Sequence, residues 1–178
     1  MQPFSGGLYM EISIMLEIQN QQITEIRSLY DNLYQKVPAH ITLVFPQKIH
    51  GTDIPVIKNH ILNIFKDVNE FELHVSKYKS DFTYQNIQAI ISDVDEVIKN
   101  LHDNLYVLPV FSKARRHDIP YVPHITVARH ISRSLSERIV NNLNNSLTEL
   151  DIKLVSVIFE KILPDDGSEV LFKIPMSS

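Results

Sequence analysis

Two tripeptides of identical composition, His40-Ile41-Thr42 and His124-Ile125-Thr126, occur 84 residues apart in the chain. On a β-strand successive side chains alternate faces, so His40 and Thr42 share one face while Ile41, Leu43 and Phe45 take the other. His124 and Thr126 oppose Ile125 and Val127 in the same way. Each copy thus offers an imidazole and a hydroxyl on a polar face, backed by a face that packs. If the two polar faces meet, two imidazoles and two hydroxyls surround one small anion. That set suits phosphoester cleavage. One group takes the proton of the attacking hydroxyl or water, and another protonates the departing oxygen on the far side. Imidazole, with an unperturbed pKa of about 6.5, supplies both forms near neutral pH. The hydroxyls would donate to the non-bridging oxygens and hold the phosphorus between the rings.

Other chemistries find less support. The chain has no Cys, Thr is a poor metal ligand, and neither motif sets two His at zinc-ligand spacing. There is no Gly-x-Ser-x-Gly elbow, and the four glycines form no phosphate-binding loop, so neither an activated serine nor nucleotide-driven ligation is indicated. No metal and no cofactor are expected. A lone strand histidine is usually a satisfied structural residue; the repeated partner and context set this pair apart. His50, His60, His74, His102, His117 and His130 share no such pattern and read as surface or structural, although His117 and His130 lie near enough to the second motif to meet substrate.

The elements that must position the motifs follow from periodicity. Residues 8 to 18 read as a strand, with Met10, Ile12, Ile14 and Leu16 at period two. A helix carries Ile23, Ile26, Leu29, Tyr30, Leu33 and Val37 and is stopped by Pro38. The strand His40 to Phe45 is closed by Pro46. A second helix starts near Asp53, with Pro55 in its first turn, and residues 71 to 78 form a strand. Then the series repeats. Ile87 to Ile91 is a strand, and a helix opens at Asp93 with Glu96 in a capping-box arrangement, presenting Val94, Val97, Ile98, Leu101 and Leu105. A basic loop leads to the strand His124 to Arg129, and a helix is announced by Ser134 and Glu137. Two β-segments, 152 to 163 and 169 to 175, flank the turn Asp165-Asp166-Gly167. The expected fold is α+β: two similar β-α-β-α-β lobes with antiparallel-rich sheets around a central cleft, formed by halves of about 1–83 and 84–178.

At 178 residues the chain fits roughly one domain at about 150 residues per domain. The N-terminal stretch MQPFSGGLYMEISIMLEI lacks early basic residues and is interrupted by Glu11 and Glu17, which argues against a signal peptide or membrane span. Absence of Cys fits a reducing cytoplasm. Net charge is −4, with 21 acidic and 17 basic residues, so no global field holds long nucleic acid and any phosphate binding is local. The most basic stretch is Lys113, Ala114, Arg115, Arg116 and His117.

The segments PAHITLVFP (38–46) and VPHITVAR (122–129) resemble the tandem His-x-Thr strands of the two-histidine (2H) phosphoesterases, in particular their bacterial 2′-5′ RNA ligase-like branch. The resemblance covers essentially the whole chain. It implies His40 and His124 as general base and acid in an order the sequence leaves open, and Thr42 and Thr126 as phosphate donors. It also implies RNA ends, 2′-5′ oligonucleotides or small cyclic nucleotides as substrates; the alternative is a module that binds such ligands without turnover. The protein is expected to be a monomer. Tyr121, Phe82 or Tyr84 could stack on a base or simply pack. Lys113, Arg115 and Arg116 could meet a flanking phosphate. Strict alternation places Arg129 opposite His124, at the surface.

Overall fold

The computed structural model describes residues 9–92, 95–147, 150 and 152–176. In chain order the elements are β1 (Tyr9–Gln19), α1 (Gln21–Tyr30), β2 (His40–His50), a 3-10 turn (Gly51–Asp53), α2 (Ile54–Phe65), β3 (Glu72–Leu73), β4 (Val75–Asp81) and β5 (Asn86–Ile91). They continue with α3 (Asp95–Leu105), α4 (Pro109–Ser112), β6 (His124–Ala128), α5 (Arg133–Asn145), β7 (Ile152–Ile162) and β8 (Ser168–Pro175). The fold is α+β, as the periodicity indicates.

One antiparallel sheet holds every strand, in the order β3-β7-β1-β2-β6-β5-β4, with β8 also on β7. β1 explains the centre of this order. Residues 12 to 16 are buried in succession rather than alternately, so this strand is covered on both faces and paired on both edges, by β2 and β7. The two lobes are therefore β1, β2, β3, β7 and β8 against β4, β5 and β6. They do not coincide with the chain halves 1–83 and 84–178: β7 and β8 return to complete β1, and β4 crosses to pair with β5. The lobes join where β2 meets β6 at a single register position, Ile41 opposite Ile125. The His-x-Thr strands thus lie edge to edge in one sheet instead of face to face.

Beneath that junction runs a buried row, Tyr78, Ala89, Ile125 and Ile41, drawn from four adjacent strands. The helices pack across it reciprocally: α1 of the first lobe touches β6 of the second, and α3 of the second touches β2 of the first.

Several boundaries differ from the periodic reading. α1 ends at Tyr30, not at Pro38, because Asp31 leaves helical geometry (φ −122°, ψ 107°) to serve buried partners described below. The stretch 71–78 divides into β3 and the start of β4, which join opposite edges of the sheet. β2 continues past Pro46. The β1–β2 register skips Phe45 and Pro46 between the pairs Ile12–Gln47 and Ile14–Val44, and this bulge turns Phe45 outward to 42% exposure instead of into the core. Asp53 turns its carboxylate back to the His50 amide (3.1 Å). The capping arrangement expected at Asp93 and Glu96, with Val94, involves positions outside the described residues.

Candidate active site

Continuing the register from Ile41 opposite Ile125 sets His40 beside Thr126 and Thr42 beside His124 on the face away from the buried row. The two copies thus interleave, imidazole next to hydroxyl, across the lobe junction. All four side chains are partly exposed.

Both imidazoles are oriented alike. His40 Nδ1 donates to the carbonyl of Pro38 (2.8 Å) and His124 Nδ1 to that of Val122 (2.8 Å), in each case two residues back. A carbonyl only accepts, so each Nδ1 carries its hydrogen and each Nε2 keeps its lone pair free for proton transfer. Pro at 38 and Pro at 123 stiffen the two approaches to the strands.

The surroundings of the two rings differ. Burial pushes the His40 imidazole down to about 4; its carbonyl bond opposes this, while the charges of Arg129, Arg27 and His124 push further down. Burial also lowers His124, opposed by its carbonyl bond and by the Asp81 carboxylate, with Arg129 again lowering it. Arg129 therefore acts on both rings.

That residue corrects the alternation argument. Val127 and Ala128 are both fully buried, and the β5–β6 register passes from Ile87–Ala128 to Gln88–Thr126 with Val127 skipped. This bulge ends the alternation, so Arg129 is not on the opposite surface. Its amide donates to Tyr30 O (2.9 Å) and its Nε to Asp31 Oδ1 (3.1 Å). Asp31, whose side chain is wholly buried, also accepts from Arg27 Nε (2.8 Å) and the Leu33 amide (3.0 Å). Arg27 in turn donates to Val37 O (2.8 Å), next to the proline that orients His40. Two guanidiniums against one carboxylate leave a net positive charge beside the imidazoles. The sequence marks Arg129 only as a surface residue and does not mark Asp31, because the two partners lie 98 residues apart.

A second support lies at the β2 bulge. Tyr121 OH donates to Thr42 O (2.7 Å), His102 Nδ1 to Leu43 O (2.7 Å), and the Phe45 amide to Tyr106 OH (3.2 Å). The rings of His102 and Tyr121 stack, 3.9 Å apart and 5° from parallel. Tyr121, a candidate base-stacking residue, is thus placed at the site with its hydroxyl committed to the backbone of Thr42. His102 is structural, as its lack of pattern indicates.

The basic stretch is largely matched by carboxylates. Arg115 Nη2 pairs with Asp103 (2.6 Å), and Arg116 grips Asp118 with Nε and Nη2 (2.7 and 2.6 Å). Lys113 is exposed at the end of α4. Arg116 lies within electrostatic range of Tyr84, at the tip of the β4–β5 hairpin, where Arg133 covers the Phe82 ring (4.4 Å). Among the described residues no group of three or more His, Asp or Glu side chains could hold a metal ion. No described helix is long and apolar enough to cross a membrane.

An antiparallel sheet joining two lobes, with twin imidazoles at the joint, defines a fold class that comparison with solved structures identifies. Escherichia coli LigT bound to 3′-AMP superposes with a TM-score of 0.65 at 12% identity, over 96% of this chain and 99% of that one. A Thermus thermophilus protein gives 0.62 at 14%, over 94% and 98%. The model of the 2′-5′ RNA ligase superfamily matches residues 16–162, and the chain belongs to that family. Relatives provisionally named phosphoesterases include one from Bacillus licheniformis, 26% identical over 106 residues (60% of this chain, 61% of the relative). Another, from Halalkalibacterium halodurans, is 26% identical over 131 residues (72% and 70%). The match to the Bacillus relative spans about three fifths of that protein's length.

Proposed function

We propose that this protein is a metal-independent phosphoesterase that acts on 2′,3′-cyclic or 2′-5′ phosphodiesters of RNA or nucleotides, with His40 and His124 as the acid–base pair and Thr42 and Thr126 as phosphate donors. The observation that carries the reading is the matched Nδ1-to-carbonyl bond of both histidines on adjoining strands, which leaves two free Nε2 atoms beside two hydroxyls. Family membership and the phosphoesterase names of relatives support the reaction class; the 3′-AMP complex of LigT supports a nucleotide ligand.

In hydrolysis of a cyclic phosphate, water attacks phosphorus as its proton passes to Nε2 of His40, and the ribose oxygen departs with the proton of Nε2 of His124. Asp81 favours the protonated form of His124, and His40 has no such carboxylate among its influences. His124 is accordingly the acid. Arg129 and the threonine hydroxyls offset the charge that grows on the non-bridging oxygens.

The test is turnover of a panel of 2′,3′-cyclic nucleotides and 2′-5′ dinucleotides in excess EDTA. Product formation that survives chelation supports the proposal. Tight binding with no product identifies a binding module instead.

A further inference from the structure

The face that carries the two His-x-Thr pairs does not stop at β6. Its register continues through β5 to β4, with Thr126 beside Gln88 beside Lys79, and His124 beside Ile90 beside Lys77. Partners in an antiparallel ladder share a face, so both lysines stand on the side of the sheet that holds the imidazoles. Two inter-strand steps separate them from the second motif, roughly 10 Å. Both are exposed, and no ion pair among the described residues engages either. Of the arginines near the site, Arg115 pairs with Asp103 and Arg116 with Asp118, while Arg27 and Arg129 share Asp31. The carboxylate of this strip, Asp81, is itself occupied by the amides of Thr83 (3.0 Å) and Tyr84 (3.3 Å) and by Gln88 Nε2 (3.3 Å). At the tip of the same hairpin Tyr84 is 69% exposed.

We propose that the β4–β5 hairpin is a track for single-stranded RNA, on which Lys77 and Lys79 meet a phosphate flanking the one held between the histidines. The ligand is thus an oligoribonucleotide, and a mononucleotide fills only part of the site. The inference rests on the phosphoesterase reading for what sits between the imidazoles. A charge pair on one face of an otherwise acidic chain is the signature of local backbone recognition, and an exposed aromatic beside it suits an unpaired base.

The experiment uses a fluorescein-labelled oligoribonucleotide ending in a 3′-phosphate, which no cleavage consumes, and adenosine 3′-monophosphate as competitor. Anisotropy is followed across a salt series for wild type and for Lys77→Gln/Lys79→Gln. Because both positions are exposed strand residues, folding is checked simply by circular dichroism. The expected result is roughly tenfold weaker oligonucleotide binding in the double variant, with the slope of log K against log salt shallower by about 0.7, the value for one single-strand phosphate that is no longer neutralised. Mononucleotide affinity stays unchanged. Equal oligonucleotide affinity and slope in the two proteins would overturn the track, as would wild type binding the oligonucleotide no more tightly than the mononucleotide. The chemistry is judged separately, by turnover of cyclic mononucleotides. Loss of binding in the variant without turnover in wild type upholds the track and removes the enzyme; turnover with no lysine effect does the reverse.

Discussion

The two copies of the motif begin alike and end differently. Each histidine gives its Nδ1 hydrogen to the carbonyl two residues back, and each threonine neighbours the other copy's histidine. Five residues beyond the histidine, however, the first copy has Phe45, swung out by a bulge and ringed by His102 and Tyr121. The second has Arg129, tied to a buried carboxylate of the other lobe. Burial and Arg129 act on both rings, but Arg27 adds its charge at His40 and the Asp81 carboxylate opposes the shift at His124. In the proposed mechanism, repetition supplies two equivalent proton carriers, and divergence around them separates the base from the acid.

Removing either ring breaks that division most severely. His40→Ala and His124→Ala should each lower turnover of a cyclic phosphate by about 10²–10⁴-fold with the fold intact, and the double variant should lose far less than the product of the two, because the pair acts as a unit. Single-turnover kinetics beside circular dichroism would check this; near wild-type rates in either variant would exclude a paired mechanism.

The Asp31 hub comes next. Deleting this carboxylate leaves two guanidiniums uncompensated, so Asp31→Ala should destabilise the fold by about 3–5 kcal/mol in urea unfolding. A cost near zero would show that the hub does not join the lobes.

The pH dependence sharpens the contrast. Both imidazole pKa values lie below the ordinary 6.5. The form with one ring protonated and one neutral therefore becomes scarce as pH rises, and kcat/KM should decline on an alkaline limb below pH 6.5 and on an acid limb near 4. These limbs belong to the coupled pair. Asp81→Asn withdraws the charge that favours protonated His124 and should move the alkaline limb further down; an unmoved limb would detach Asp81 from the acid. The same depressed value of His40 bears on stability. The unfolded chain binds that proton more readily between pH 6.5 and 4, so the contribution is complete above 6.5 and is lost as pH falls towards 4.

The smallest effect is expected at the bulge. Tyr121→Phe removes one hydrogen bond to Thr42 O and should cost about 0.5–1.5 kcal/mol of stability, with a few-fold loss in kcat and little change in KM.

The sequence displayed the parts of this site that depend on neighbours along the chain. Alternation in HIT fixed which side chains share a face, and apolar spacing located α2, α3 and α5. What it did not display arises from contacts between distant segments. Asp31 stops α1 because Arg129 lies against it, although the apolar pattern runs on through Leu33 and Val37. Bulges at Phe45 and Val127 reverse the expected sense of Phe45 and Arg129; Pro46 marks the first, and no residue type marks the second. β4 carries its lysines into the second lobe because β5 is its partner, which the order of segments alone does not reveal.

Whether both imidazoles address one phosphorus through Nε2 is read from long-range ¹H–¹⁵N spectra of histidine-labelled protein titrated with adenosine 3′-monophosphate. The expected result is the Nδ1–H tautomer for His40 and His124 in the free protein and Nε2 shifts in both rings that saturate at one common concentration. A shift confined to one ring, or an Nε2–H tautomer in either, would contradict it.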